Sequence, residues 1–270
     1  MAEGVAEGRG AGEPILRTQN LVKRFGGLVA TDDVSLSLVP GELHAIIGPN
    51  GAGKTTLIAQ LSGELKPTSG QVFFKGRDIT DVSMPGRARL GLVRSFQITS
   101  LCMEFTARDN VALAVQARQG HSFRFWRNAR TDPSLVNPAM EVLRQVGLAD
   151  RALIEAGLLS HGEQRQLEVA IALATEPTLL LLDEPMAGMG REESHRMVAF
   201  LQGLKRRYTI LLIEHDMDAV FALADRISVL VYGRVIATGL PAEIRANREV
   251  QHAYLGDEAE EREAEAATHG

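Results

Sequence analysis

The chain has 270 residues, of which 45% are hydrophobic and 23% charged, a composition typical of a globular protein with ample core. Its net charge of −5 equals the charge of residues 257–270, which hold six acids and one arginine, so residues 1–256 are formally neutral and offer no basic field for nucleic acid. The single cysteine, Cys102, excludes an internal disulfide and a multi-cysteine metal cluster. No apolar run of about 18 residues predicts a transmembrane helix.

The N-terminal segment comes first in chain order. Met1–Pro14 is small, acidic and rich in glycine, and it lacks the basic start and the apolar stretch of a signal peptide. We expect residues 1–13 to be a flexible extension and residues 257–270 to be an acidic, solvated tail. We also expect Cys102 to be a buried or partly buried thiol in a cytoplasmic protein.

Alternating and apolar segments predict strands in the first third of the chain. Ile15–Lys23 and Val34–Leu38 alternate apolar and polar residues, which is typical of half-buried strands. Leu43–Ile47 is short, apolar and bounded by glycines, which indicates a fully buried strand. Further elements are predicted as a helix at Lys54–Leu61 and as strands at Gln71–Lys75 and Val93–Gln97.

The loop after Leu43–Ile47 fits the phosphate-binding pattern G-x-x-x-x-G-K-[ST]. Glycines let consecutive backbone N–H groups point at phosphate oxygens, and the start of the following helix attracts the same anion. We expect Lys54 to place a positive charge on the terminal phosphates and the Thr55 hydroxyl to bind Mg²⁺. The predicted binding residues are Gly48, Pro49, Asn50, Gly51, Ala52, Gly53, Lys54, Thr55 and Thr56.

The middle of the chain shows helical spacing instead. Apolar residues recur in this way from Thr106 to Gly147, around a polar stretch at His121–Pro138. Because no strand pattern interrupts these helices, we interpret about residues 99–157 as an inserted helical subdomain. Phe123 and Trp126 lie in the polar stretch, and we expect them to be tucked inward; contact with lipid headgroups or another protein is the alternative.

Strand–helix alternation returns in the second half and predicts an α/β fold, a parallel sheet with helices on both faces. The predicted helices are Gly162–Thr175, Glu192–Arg206 and Asp216–Ala224, and the predicted strands are Leu179–Leu182, Thr209–Ile213 and Ile227–Val231. Two acids follow the first of these strands, where the carboxyl ends of parallel strands form a ligand crevice. We expect Asp183 to hold Mg²⁺ through water and Glu184 to polarise an attacking water. His215 is expected to hydrogen-bond the γ-phosphate.

These motifs, in this order, resemble the ATP-hydrolysing subunit of an ABC transporter over residues 14–256. Leu159–Gln164 stands where that family has its L-S-G-G-Q signature, and His215 matches the family's switch histidine. The resemblance implies that Phe25 stacks on the adenine of ATP, and that Gln97 reaches Mg²⁺ and senses a permease. It also implies a core of mainly parallel sheet, an N-terminal antiparallel β subdomain and an inserted helical subdomain.

The signature segment also implies partners. In this family it contacts the ATP held by a second ATPase subunit, and two integral-membrane permeases complete the transporter at the cytoplasmic face of the membrane. An importer receives its solute from a periplasmic or lipid-anchored binding protein. The residues that match these contacts are Ser160, His161, Gly162 and Glu163, of which His161 and Glu163 replace the family's Gly and Gln.

Several segments are similar to the ATPases of branched-chain amino acid importers, a group whose relatives carry urea, short amides or aromatic acids. They are Phe25–Leu28, Val93–Gln97, Ile213–Met217 and Ala253–Gly256. A lipopolysaccharide-export ATPase is the alternative within transport. A non-transport member of the superfamily is disfavoured by the single phosphate loop and by the absence of long heptad coiled coils.

Overall fold

The computed structural model describes residues 13–95, 101–120, 129–205 and 207–253, which form the α/β fold expected from the sequence. The strands are β1 (Leu16–Phe25), β2 (Leu28–Val34), β3 (Ser37–Leu38), β4 (Leu43–Ile47), β5 (Ser69–Phe74), β6 (Arg77–Asp78), β7 (Leu92–Arg94), β8 (Leu179–Asp183), β9 (Thr209–Ile213), β10 (Arg226–Val231) and β11 (Arg234–Gly239). The α-helices are α1 (Lys54–Ser62), α2 (Met84–Leu90), α3 (Ala107–Gln119), α4 (Pro133–Gln145), α5 (His161–Ala174), α6 (Arg191–Leu204), α7 (Met217–Leu223) and α8 (Pro241–Ala246).

The larger sheet carries its strands in the order β11-β10-β4-β9-β8-β7, and all neighbours are parallel except the hairpin of β10 and β11. β4, β8 and β9 are buried along their whole length, as their apolar sequences predict. Because β4 lies between β9 and β10, distant parts of the chain end side by side at one edge of the sheet. The carboxyl ends of these strands carry the phosphate loop, the acids at the end of β8 and the segment after β9.

The smaller sheet is antiparallel, as expected for the N-terminal part of the chain, with β1 between β2 and β5 and with β3 beside β1. The single strand predicted at Val34–Leu38 is wrong, because β2 ends at Val34 and a separate two-residue β3 follows. Burial does alternate through that segment as predicted. The sequence pattern missed β2 because Asp32 and Asp33, unfavourable strand residues, lie near its end.

Helices α3, α4 and α5 pack against one another, and their apolar residues join the core of the larger sheet. α4 begins within the stretch predicted to be polar, because the Asp132 side chain accepts the Ser134 N–H at 3.0 Å and Pro133 suits a first helical turn. Cys102 is exposed, contrary to expectation, at a turn whose backbone is held by the Asn110 side chain. The outline of a helical subdomain at 99–157 stays a prediction.

Four expectations fall outside the described residues. Gln97 lies in the segment 96–100, and Phe123 and Trp126 lie in the segment 121–128. The expected N-terminal extension, except for residue 13, and the expected acidic tail at 257–270 also lie outside the described part of the chain. Within the described part of the chain, no helix is both long and apolar enough to cross a membrane.

Candidate functional site

The phosphate loop connects β4 to α1 and is enclosed by two other strands. A Cβ atom added to Gly48 would lie 2.0 Å from the backbone oxygen of Leu230, in β10. A Cβ atom added to Gly53 would lie 2.1 Å from the backbone oxygen of Ala30, in β2, and Gly53 has the left-handed φ of 100°. Glycine is therefore required at both positions because neighbouring backbone occupies the space of any side chain.

Lys54 opens α1 and turns its side chain back over the loop. Its ammonium group donates to the backbone oxygen of Gly48 and, at 2.8 Å, to that of Pro49. The residue is buried, so this positive charge lies inside the turn rather than in solvent. A buried cation, a helix N-terminus and glycine-rich backbone together form a site suited to phosphate.

Asp183 ends β8 with its side chain almost completely buried. The Arg94 guanidinium donates to the Asp183 Oδ2 atom at 2.7 Å and also pairs with Glu64, just after α1. Burial raises the pKa of the Asp183 carboxyl, and the charge of Arg94 opposes that rise. Sequence reasoning gave no role to Arg94 or Glu64, although Arg94 stands in one of the segments that carried the family resemblance.

Glu184 has the left-handed φ of 47°, and its N–H donates to the backbone oxygen of Ile213 at 2.9 Å. A left-handed glutamate is uncommon, and here it follows the buried strand directly and turns the chain into the sheet-edge crevice. An open pocket of about 380 Å³ brings Glu184 together with the phosphate loop and the predicted adenine-stacking residue. It is lined by Phe25, Leu28, Val29, Ala30, Asn50, Gly51, Ala52, Gly53, Lys54, Thr55, Thr56, Glu184 and Tyr232.

Glu214, directly after β9, connects the two loops that carry the predicted catalytic residues. Its buried carboxylate accepts the N–H of Met186 at 2.9 Å and the N–H of His215 at 3.1 Å. Burial raises the pKa of Glu214, and these hydrogen bonds oppose the rise. The His215 ring is largely exposed, with Nδ1 3.7 Å from the Glu214 carboxylate. Sequence reasoning gave no role to Glu214, although it follows a buried strand directly and stands in the segment Ile213–Met217, which carried the family resemblance.

The signature segment caps its own helix. Ser160 is the N-cap of α5: its Oγ accepts the Glu163 N–H at 3.3 Å, and the Glu163 carboxylate accepts the Ser160 N–H at 2.9 Å. The same carboxylate accepts a hydrogen bond from Arg151 at 3.0 Å. Glu163 therefore completes a capping box that also holds an arginine, which gives a structural reason for an acid at this position.

Ser160, Gly162 and Glu163 line a different pocket, of about 360 Å³, together with Glu193 of α6. This pocket shares no lining residue with the pocket over the phosphate loop. Most of the predicted site residues thus form two groups within one chain: Phe25, residues 50–56 and Glu184 line the first pocket, and Ser160, Gly162 and Glu163 line the second. Five predicted residues in the described part of the chain line neither pocket: Gly48, Pro49, His161, Asp183 and His215.

Comparison with known proteins identifies the family of this chain. The model of the ABC transporter family matches residues 31–187. The chain belongs to the ABC transporter family. A second model, described as the branched-chain amino acid ATP-binding cassette transporter, matches residues 234–260. As a member of this family the chain is an ATP-binding, ATP-hydrolysing enzyme, and it falls in the group of the branched-chain amino acid importers.

The match to two known relatives extends over almost their whole length. The high-affinity branched-chain amino acid transport ATP-binding protein LivG of Escherichia coli K12 is 39% identical over 259 residues, covering 91% of this chain and 99% of its own. The corresponding protein BraF of Pseudomonas aeruginosa is 39% identical over 253 residues, covering 90% and 98%.

The solved structures agree with this assignment. An ATP-binding cassette of an ABC transporter, solved in its ADP conformation, has a TM-score of 0.80 and 32% identity, covering 91% of this chain and 100% of its own. A nucleotide-free cassette has a TM-score of 0.79 and 32% identity, with coverage of 89% and 98%.

Proposed function

We propose that this chain is the ATPase subunit of an importer for branched-chain amino acids or related small solutes such as urea, amides or aromatic acids. The observation that carries the proposal is the 39% identity to LivG over 91% of the chain. The match of residues 234–260 to the branched-chain group supports it, because that segment lies outside the 31–187 match to the general ABC model.

In the proposed reaction the phosphate loop holds the ATP phosphates through its backbone N–H groups and the Lys54 ammonium. Phe25, which lines the same pocket, stacks on the adenine. Glu184 polarises the attacking water, and His215 donates a hydrogen bond toward the γ-phosphate. These roles depend on position and charge, since phosphoryl transfer requires little covalent chemistry from the protein.

The residues present fit Mg²⁺. The described residues contain no cluster of three or more histidines, cysteines or acids that could enclose a metal ion. Mg²⁺ instead favours sites with few protein oxygens, completed by phosphates and waters, and the Thr55 hydroxyl and Asp183 carboxylate are such oxygens. Gln97 is the third proposed contact. When bound, the ion neutralises charge on the phosphates, while Arg94 holds the Asp183 carboxylate in place.

We further propose that two ATPase subunits, either two copies or this chain and a sister subunit, close head to tail. Ser160, His161, Gly162 and Glu163 would then face the ATP held by the other subunit. The separation of the two pockets within one chain supports this arrangement, as does the position of the signature at the N-terminus of α5, which attracts phosphate.

Closure would be passed to two permease subunits at the cytoplasmic face of the membrane, with Gln97 near the contact. A periplasmic or lipid-anchored binding protein would deliver the solute. No contact with nucleic acid is proposed, because residues 1–256 are formally neutral.

Uptake by cells tests this proposal. A strain in which the gene is deleted should lose uptake of radiolabelled leucine and regain it with the wild-type gene, whereas the Glu184→Gln gene should not restore it. Restoration by Glu184→Gln would contradict the role of ATP hydrolysis. Normal leucine uptake in the deletion strain would contradict the solute, and the same assay with urea, amides and aromatic acids would then identify the related substrate.

A further inference from the structure

Three large apolar side chains that line the pocket over the phosphate loop are unusually exposed. Phe25, Leu28 and Tyr232 are 49%, 66% and 78% exposed, and all three line this one pocket. Phe25 ends β1 and pairs with Leu28 at the start of β2, next to the turn of this hairpin, whereas Tyr232 lies on the turn between β10 and β11. Sequence reasoning identified only Phe25, so the pocket holds a second aromatic side chain from a distant part of the chain.

The turn that carries Tyr232 is bound to the phosphate loop itself. The Gly233 N–H donates to the backbone oxygen of Ala52 at 2.9 Å, and the Asp32 N–H donates to the backbone oxygen of Gly233 at 2.8 Å. Arg234 reinforces this connection with two hydrogen bonds to the Asp32 carboxylate, at 2.6 and 2.8 Å. The position of Tyr232 is thus fixed relative to the loop that receives the phosphates.

The backbone of Tyr232 is also unusual, because φ is 46°. Tyrosine rarely adopts this left-handed conformation, which glycine or asparagine would adopt more easily in a hairpin turn. The chain therefore keeps a bulky, solvent-exposed aromatic ring at a turn position that does not favour it. No packing of the protein core explains this choice, since the side chain is among the most exposed apolar groups of the described residues.

We propose that Tyr232 is a nucleoside-binding residue, whose ring contacts the base or ribose of the bound nucleotide and completes with Phe25 an aromatic site for it. The proposal rests on the proposed binding of ATP at the phosphate loop. Aromatic rings bind bases by stacking, which hides exposed apolar surface on both partners. Tyr232 thus acts on the nucleoside, whereas Lys54 acts on the phosphates.

Two ligands that differ only by the nucleoside test this division. ADP and inorganic pyrophosphate carry the same diphosphate, and neither is hydrolysed by the ATPase reaction, so binding to the full-length purified chain can be measured by calorimetry at one Mg²⁺ concentration. For Tyr232→Ala we expect ADP affinity to fall roughly five- to thirtyfold, while pyrophosphate affinity stays within about twofold of wild type. Tyr232→Phe, which keeps the ring, should bind both ligands like wild type.

Leu153→Ala is the matched control, because Leu153 is 68% exposed and lines neither this pocket nor the signature pocket. It should leave both affinities unchanged. Wild-type ADP affinity in Tyr232→Ala, or equal losses for ADP and pyrophosphate, would overturn the proposal. So would a loss in Tyr232→Phe as large as in Tyr232→Ala, since the ring would then not be the contact.

The failure of this proposal is distinct from failure of the proposed function. Lys54→Ala should weaken ADP and pyrophosphate alike, whatever Tyr232 does. If wild-type protein binds neither ligand, the phosphate-loop assignment fails and the role of Tyr232 with it. If Lys54→Ala weakens both ligands and Tyr232→Ala weakens neither, only the role of Tyr232 is wrong.

Discussion

The phosphate loop and the signature segment are both helix N-termini suited to anions, yet they are built in different ways. The phosphate loop is enclosed by β2 and β10, whose backbone oxygens approach Gly53 and Gly48, and its lysine is buried within it. The signature segment is partly exposed and is held by a capping box formed from its own residues, Ser160 and Glu163. Tertiary contacts shape the first motif, and local sequence shapes the second.

This difference bears on function. A loop fixed by three strands presents a rigid anion site within one chain, together with Phe25, Glu184 and Tyr232. A locally capped helix start stays intact wherever its subunit moves, which suits a group that must approach a phosphate from outside. In the proposed head-to-tail arrangement, the first motif binds nucleotide within its own chain, and the second acts only on nucleotide held by another subunit.

The largest expected effect is on the rate of ATP hydrolysis and comes from Glu184, which lines the pocket over the phosphate loop. Glu184→Gln should bind ATP like wild type but hydrolyse it about 10²- to 10⁴-fold more slowly, because an amide cannot act as a base toward water. The measurement is phosphate release by the assembled transporter, with calorimetry for binding. Asp183→Asn is the contrasting variant, since it should weaken the Mg²⁺ dependence that Glu184→Gln preserves. Wild-type turnover in Glu184→Gln would refute the assignment.

Removing the buried positive charge of Lys54 tests whether the loop between β4 and α1 binds the phosphates of the nucleotide. Lys54→Ala should weaken ATP binding roughly ten- to hundredfold, the range expected for a lost charged hydrogen bond. Fluorescent-nucleotide titration measures the loss, and Lys66→Ala, which removes an exposed lysine paired with Asp81, is the control. Unchanged affinity in Lys54→Ala would mean that the loop is not the phosphate site.

A glycine-to-alanine substitution in each motif tests whether tertiary contacts shape the phosphate loop while local sequence shapes the signature segment. Gly48→Ala places its Cβ against backbone that cannot easily move, and we expect a loss of about 2–3 kcal/mol or more in the free energy of unfolding. Gly162→Ala meets only the side chain of Glu193, at 3.2 Å, and should change stability by less than about 1 kcal/mol, because alanine favours helices. Urea unfolding measures both. Equal losses would remove the contrast.

The smallest expected effect concerns Glu214, which joins the loops after β8 and β9. Its pKa is raised by burial, so its contribution to stability is complete below the ordinary carboxyl pKa and is lost as pH rises through the raised folded-state pKa. Each unit of pKa difference corresponds to about 1.4 kcal/mol. The amount by which wild type is more stable than Glu214→Gln should therefore shrink as pH rises from the ordinary carboxyl pKa through the raised pKa of the folded state.

Unfolding in urea at several pH values tests this expectation. A gap between wild type and Glu214→Gln that widens with rising pH would contradict the sign of the shift.

Much of the fold could be predicted because several elements have strong local signals. The apolar strands β4, β8 and β9 match their predicted ranges closely, and the glycine pattern located the loop between β4 and α1. Elements with weak local signals were missed: β2 contains two aspartates, and β6 has only two residues. Pairing with β1 and β5 forms these strands, and that information is not local.

The candidate site shows the same limit. The place of motif residues such as Lys54, in the turn between β4 and α1, could be predicted because the phosphate-binding pattern has a fixed spacing. Arg94, Glu214 and Tyr232 could not, because each acquires its role only when a distant segment arrives beside it. Arg94 meets Asp183, Glu214 meets the backbone of Met186, and the turn of Tyr232 meets Ala52.

Mixing two defective subunits tests most directly whether the two motifs act in different subunits. Lys54→Ala damages the phosphate loop and Ser160→Arg damages the signature, so each variant alone should be inactive. If the chain pairs with itself head to tail, a mixed dimer has one site with both lesions and one intact site, and partial ATPase activity should return. If mixing restores nothing while ATP still dimerises the Glu184→Gln protein, the assignment of Ser160 to the other subunit's ATP is contradicted. If ATP produces neither dimers nor rescue, self-pairing is contradicted and a sister ATPase is the partner to test.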